Sequence, residues 1–186
     1  VVRELWEGNS VTHRGSHYLI EDATIFDPPT DPPPIVVSAF GPNAAEVAAE
    51  IGDGLWTGGD SSIIDRFREN GGTGPIYSQL TVCWASGRDE AIDTAHRVWP
   101  TTAVVGQLKQ DLRTPTHFEQ AVANITREMV EEAIPCGPDP DPILEAAARA
   151  RDAGVDHLYF HQVGDDQEGF LSFWDKEIAP ALEGAA

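Results

Sequence analysis

Short runs of β-branched and aromatic residues alternate along this chain with stretches whose apolar positions recur at helical spacing. Residues 35–39 are an apolar run broken only by Ser38, as expected of a strand buried on both faces. They empty into Phe40-Gly41-Pro42, and a helix is predicted over 44–51, ended by Gly52. Residues 55–57 form a second short strand. Ser61 is the predicted N-cap of a helix running to Asn70, where Gly71-Gly72 stops it. The longest strand candidate is 76–84, followed by a helix over 88–98 with Asp89 and Glu90 in its first turn. Helices over 142–153 and 169–182 flank a last strand, 155–161.

The remaining segments are less regular. Residues 1–6 look like the last turns of an amphipathic helix, stopped by Gly8-Asn9. Residues 10–13 and 18–26 alternate in polarity about Gly15, which predicts a small hairpin. Five prolines within 27–34 exclude regular structure there, so 18–34 reads as hairpin and proline-rich linker. Residues 100–135 carry no strand pattern and form a helical insertion, with short helices over 115–123 and 127–133.

Strands alternating with helices predict an α/β fold with parallel strands. About four βα units are legible, whereas a closed (β/α)8 barrel takes roughly 250 residues. The chain has no initiating Met and opens in mid-helix. The expectation is therefore that 1–186 form the C-terminal half of one TIM-barrel domain, partnered by an N-terminal half.

Composition narrows the partners. A 41% hydrophobic content supplies a core, and no apolar run approaches the roughly 20 residues of a membrane span or reads as a secretory leader. Cys83 and Cys136 lie in unrelated contexts without CxxC spacing, which predicts free thiols in a reducing cytoplasm. The net charge is −19, from 31 acidic and 12 basic residues, a balance that repels nucleic acid and anionic membranes. It fits either an ordinary acidic cytoplasmic enzyme or a protein adapted to high salt.

Candidate chemistry gathers where strands end. Ser38-Ala39-Phe40-Gly41-Pro42 closes a strand on the catalytic face of a barrel, where a glycine and a helix N-terminus favour an anion; the same pattern also makes a plain βα turn. Thr57-Gly58-Gly59 leaves room for a ligand at the next strand, with Thr57 as a donor, or is a flexible loop. Trp84 either walls a ring-binding pocket or packs at its rim. Cys83 is predicted to be an inert buried thiol. His157 and His161 share a strand face but stand about 13 Å apart, too far for joint metal ligation; His161 could line the mouth and His157 reads as structural. No HExxH, GxSxG or Walker pattern occurs, so neither a metal nor a catalytic residue is assigned.

A set of short motifs adds to this. Arg3-Glu4-Leu5-Trp6, Val11 to Tyr18, Ala39-Phe40-Gly41-Pro42, Gly52-Asp53-Gly54 and Phe160-His161-Gln162 with Gly164-Asp165-Asp166 resemble the bacterial luciferase-like superfamily. Within it, Val82-Cys83-Trp84, His96 to Pro100, His117 to Gln120 and Ile134-Pro135-Cys136-Gly137-Pro138 resemble deazaflavin (coenzyme F420)-dependent oxidoreductases of the glucose-6-phosphate dehydrogenase group. The resemblance runs in order over the whole chain. It implies a barrel, usually dimeric, that passes a hydride between the deazaflavin and an organic substrate.

On that basis Ala39, Phe40, Gly41 and Pro42 approach the cofactor, and Thr57, Trp84 and Lys109 the substrate. The family's His, Glu and Trp at the reacting centre belong to the N-terminal half. Lys109 falls on one of the family's phosphate-binding lysines, Asp60 replaces the other, and Glu132 stands where an arginine does. Glucose 6-phosphate is thus not the expected substrate; a small, unphosphorylated alcohol is. Two other readings stand: an FMN-dependent monooxygenase of the same superfamily, and a stand-alone half barrel with a binding or assembly role.

Overall fold

The computed structural model describes residues 1–106 and 108–184. They divide into two compact units, Val1–Ile35 and Val36–Ala186.

In the first unit, helix α1 (Val2–Trp6) ends where Gly8 takes φ +81°, a left-handed conformation that suits a residue without a Cβ. Strands β1 (Val11–Arg14) and β2 (Leu19–Ala23) pair antiparallel, as the alternating polarity predicts. Their register slips between Val11 and His13. Asp22, at φ 48°, sits opposite this irregularity, and its N–H donates to Thr12 Oγ1 at 3.1 Å.

The second unit is built on a four-stranded sheet in the order β3 (Val36–Ser38), β4 (Gly54–Trp56), β5 (Ile76–Val82), β6 (His157–Gln162). All neighbours are parallel and follow chain order. Helices α2 (Pro42–Ile51), α3 (Ser61–Glu69) and α4 (Arg88–Val98) each follow a strand, the layout of a barrel segment. Between β5 and β6 lie a 3-10 turn (Pro100–Ala103), α5 (Leu108–Asp111), α6 (Pro115–Val122), α7 (Arg127–Ala133) and α8 (Asp141–Asp152). After β6 come α9 (Gln167–Phe173), a π turn (Trp174–Ile178) and α10 (Ala179–Glu183).

Strand alternation decides what each face does. Val37, Leu55 and Ile76 point towards α2 and α3 and pack with Ala45, Ile64 and Phe67. Val82 packs with Ile143, Phe170 and Ile178 beneath α8 and α9. The opposite face of β5 carries Tyr77, Gln79 and Thr81, in register with His157, Tyr159 and His161. On it the Tyr77 and His157 rings stack at 4.7 Å, and Trp56 meets Tyr159 at 5.4 Å. His157 is thus a packing residue.

Three details depart from the sequence reading. The N-cap of α3 is Asp60, whose Oδ1 accepts from Ser62 N–H at 2.9 Å; Ser61 lies inside the helix. Strand β5 stops at Val82, because Cys83 pairs instead with Cys136 in an isolated parallel bridge. Its N–H donates to the Pro135 carbonyl and its own carbonyl accepts from Gly137, each at 2.9 Å. The two cysteines expected in unrelated places are therefore neighbours, both free. Finally, the closing helix is interrupted by the π turn just before Pro180, a residue with no N–H for the ordinary helical bond.

Candidate functional site

The chain leaves β3 through Ala39, whose N–H donates to the Trp56 carbonyl at 2.9 Å and whose side chain is buried. Phe40 then turns outward, 59% exposed. Gly41 caps α2 at φ −155°, an extended conformation open to any residue, and a Cβ built there would meet nothing within 4 Å. The backbone does not demand this glycine; open space in front of it does the work of leaving room for a ligand. That space is a cavity of about 1100 Å³ lined by Phe40, Gly41, Pro42, Asn43, Gly106 and Lys109, among others.

A second cavity, about 350 Å³, shares Phe40 and Lys109 and is walled by Trp56, Thr57, Gln79 and Trp99. Thr57 is 1% exposed, and its N–H donates to the Tyr77 carbonyl at 3.0 Å. Its Oγ1 is buried and has no hydrogen-bond partner among the described residues. An unsatisfied buried hydroxyl costs about 1–3 kcal/mol. Lys109 is the one charged side chain among the described residues lining the two cavities.

Of the residues expected to meet ligands, Phe40, Gly41 and Pro42 thus line the larger cavity, Thr57 the smaller, and Lys109 both. Ala39 lies beneath them. Trp84 lines neither cavity: it stacks on Phe173 at 5.8 Å, and its backbone is clamped by the Gln162 amide at 2.8 and 3.1 Å. Asp60 is engaged in capping α3, where the Ser62 hydroxyl and N–H hold its carboxyl below the usual range. Neither it nor Glu132, exposed on α7, is among the residues lining the cavities.

Sequence reasoning passed over Gln79, Thr81 and Trp99. Gln79 Nε2 lies 3.2 Å from His161 Nδ1 and 3.4 Å from Thr81 Oγ1, which is itself 3.3 Å from Nδ1. The Trp99 ring meets His161 edge-on at 4.9 Å. The available signal was the alternation Tyr77, Gln79, Thr81 on one face of a strand whose other face is apolar but for Ser78.

Elsewhere, burial pushes the Cys83 thiol up to about 11, with the Asp165 carboxylate adding to it, and the Cys136 thiol up to about 12. Among the described residues no group of three or more potential ligands could hold a metal ion, and no helix is long and apolar enough to cross a membrane.

The fold has close counterparts. An F420-dependent secondary alcohol dehydrogenase, solved with an F420–acetone adduct, superposes with a TM-score of 0.79 at 23% identity, covering 96% of this chain and 58% of that one. The coenzyme F420-dependent tetrahydromethanopterin reductase of Methanopyrus kandleri gives 0.69 at 18% identity over 97% of this chain and 60% of that one. By sequence, F420-dependent glucose-6-phosphate dehydrogenases are similar: 31% identity for that of Microbacterium testaceum and 29% for that of Nakamurella multipartita, each over 98% of this chain. The chain spans 58% of the length of either relative. The family described as luciferase-like monooxygenase matches residues 1–157. On that match, and with relatives among the F420-dependent dehydrogenases, the chain belongs to the luciferase-like monooxygenase family.

Proposed function

We propose that this chain is the C-terminal half of a (β/α)8 oxidoreductase that passes a hydride between deazaflavin F420 and a small, unphosphorylated alcohol. The observation that carries the reading is the pair of cavities at the strand ends, joined through Phe40 and Lys109, with Thr57 in the wall of the smaller. The F420-dependent relatives by sequence and by fold support the choice of cofactor.

The residues present fit a deazaflavin at the larger cavity. Gly41 presents bare backbone to open space, and Phe40 offers an exposed aromatic face beside it. The first turn of α2 leaves the N–H groups of Asn43 and Ala44 free of helical partners, which suits the anionic part of a nucleotide-like cofactor. When bound, the deazaflavin supplies a hydride acceptor. Thr57 and Lys109 then orient the substrate in the smaller cavity, while Trp56 and Trp99 exclude water from it. No acid–base residue is assigned within this chain; that role falls to the N-terminal half of the barrel, in an enzyme that we take to be a cytoplasmic homodimer.

Lys109 also bears on the substrate. A doubly charged sugar phosphate calls for several cations, and one lysine is what the described lining provides. Asp60 and Glu132 act here as missing cations rather than as charges facing the substrate.

Titration of the full-length protein with F420 and with FMN, followed by absorbance, tests the reading. Tight F420 binding is expected, with bleaching of the oxidised deazaflavin on adding propan-2-ol or glycerol but not glucose 6-phosphate. Binding of FMN alone, with oxygen uptake, would replace the dehydrogenase by a monooxygenase. Efficient reduction with glucose 6-phosphate would overturn the substrate assignment.

A further inference from the structure

We propose that Gln79 is a specificity-determining residue that reads a hydroxyl donor on the substrate, and that His161 is the positioning residue that fixes Gln79 in that role. The proposal rests on the reading of the smaller cavity as the substrate site.

An amide nitrogen only donates. Gln79 Nε2 stands 3.2 Å from His161 Nδ1, so Nδ1 must be the unprotonated ring nitrogen and the imidazole proton resides on Nε2. Thr81 Oγ1 lies beside Nδ1, 3.4 Å from the same amide nitrogen. The amide nitrogen of Gln79 is thereby turned towards protein. Oε1 accepts no hydrogen bond from the described residues, and the side chain lines the cavity.

The result is an acceptor on a wall whose other polar side chains include Thr81, Thr101, Thr102 and Lys109. An alcohol can donate to Oε1. A ketone cannot, so this acceptor favours the alcohol over its own oxidation product. Trp99, edge-on to His161 at 4.9 Å, keeps the imidazole in place from the other side, and the groups contacting His161 (Gln79, Thr81 and Trp99) are uncharged.

Three substitutions in the full-length protein test this. Gln79→Leu removes the acceptor, His161→Phe removes the group that aims it, and His161→Asn returns an acceptor for the Gln79 amide. With propan-2-ol as substrate, Gln79→Leu is expected to raise KM about five- to tenfold, with kcat and F420 affinity within twofold of wild type. His161→Phe is expected to raise KM about threefold, and His161→Asn to restore it. An unchanged KM in Gln79→Leu overturns the proposal.

Two readouts do not depend on the cofactor. Nitrogen-15 NMR of the imidazole should show Nε2 protonated, and an Nδ1-protonated ring overturns the proposal. Propan-2-ol binding followed by chemical-shift changes should weaken about fivefold or more in Gln79→Leu; equal affinity, or no binding by wild type, overturns it. If propan-2-ol binds as expected but no hydride reaches F420, the dehydrogenase reading falls while Gln79 is still judged on the binding data.

Discussion

At the scale of single residues, Thr57 shows stability set against recognition. Its hydroxyl is buried with no partner among the described residues, so Thr57→Val, which keeps the shape and removes the unsatisfied group, is expected to stabilise the protein by about 1 kcal/mol. The same change should weaken alcohol binding. A thermal melt paired with a KM measurement checks both, and a fall in both stability and KM would mean the hydroxyl is not held for a ligand.

The cysteines make a second residue-scale case. Burial raises both thiol pKa values from 9.0, Cys83 to about 11 and Cys136 to about 12. The folded state therefore holds these protons more tightly than the unfolded chain. The associated stability is complete below pH 9 and is lost as pH rises from 9 through about 11 to 12. Cys83→Ala/Cys136→Ala should flatten that part of the stability curve relative to wild type, and native protein near pH 7 should resist iodoacetamide. Rapid alkylation of both thiols without unfolding would contradict this. The burial of Cys83 was legible from its place at the end of an apolar strand. Its pairing with Cys136 was not, because a bridge between distant segments leaves no local pattern.

At the scale of elements, the order of strands and helices was legible because each βα unit carries its own signals. Helix α4 is found with the predicted bounds, since Gly87 and the acidic first turn mark its start and Trp99-Pro100 its end. Helices α2 and α8 begin earlier than predicted, each with a proline in its first turn, where its fixed φ suits the helix. Helix α3 shows why caps are harder to place. Asp60 and Ser61 both have capping chemistry, and only the φ −72°, ψ 115° of Asp60 selects it. Asp60→Ala should cost about 1 kcal/mol at neutral pH, whereas Ser61→Ala should be nearly silent. The folded pKa of Asp60 lies below its ordinary 3.8, so its contribution is present above that value and fades as pH falls further. Denaturant titrations of the two variants at pH 7 and pH 3 check this; equal effects would move the cap back to Ser61. The site was legible in part for the same reason: Gly41 and Thr57 end strands. Gln79 and Trp99 enter only when β5, β6 and the insertion are brought together.

At the scale of the whole molecule, two properties oppose each other. The sheet turns Trp56, Tyr77 and Tyr159 away from its helices, with Tyr159 53% exposed, and β3 and β6 are its edges. Such a surface favours association. A net charge of −19 resists it. Arginines are largely engaged in exposed ion pairs such as Arg97–Asp165 and Arg127–Asp93, each worth at most about 1 kcal/mol, so the excess of carboxylates dominates the long-range field. Screening then decides the balance, because the Debye length falls from about 30 Å at 0.01 M salt to about 3 Å at 1 M. Expressed alone, the 186-residue chain should sediment as a monomer in dilute buffer and associate as potassium chloride is raised. Tyr159→Lys should suppress that association. The full-length protein, if its N-terminal half covers the same face, should keep one sedimentation coefficient across the series while its melting temperature rises. Salt-independent sedimentation of the isolated chain would show that the aromatic face is too small to overcome even screened repulsion, and that this face needs no covering half.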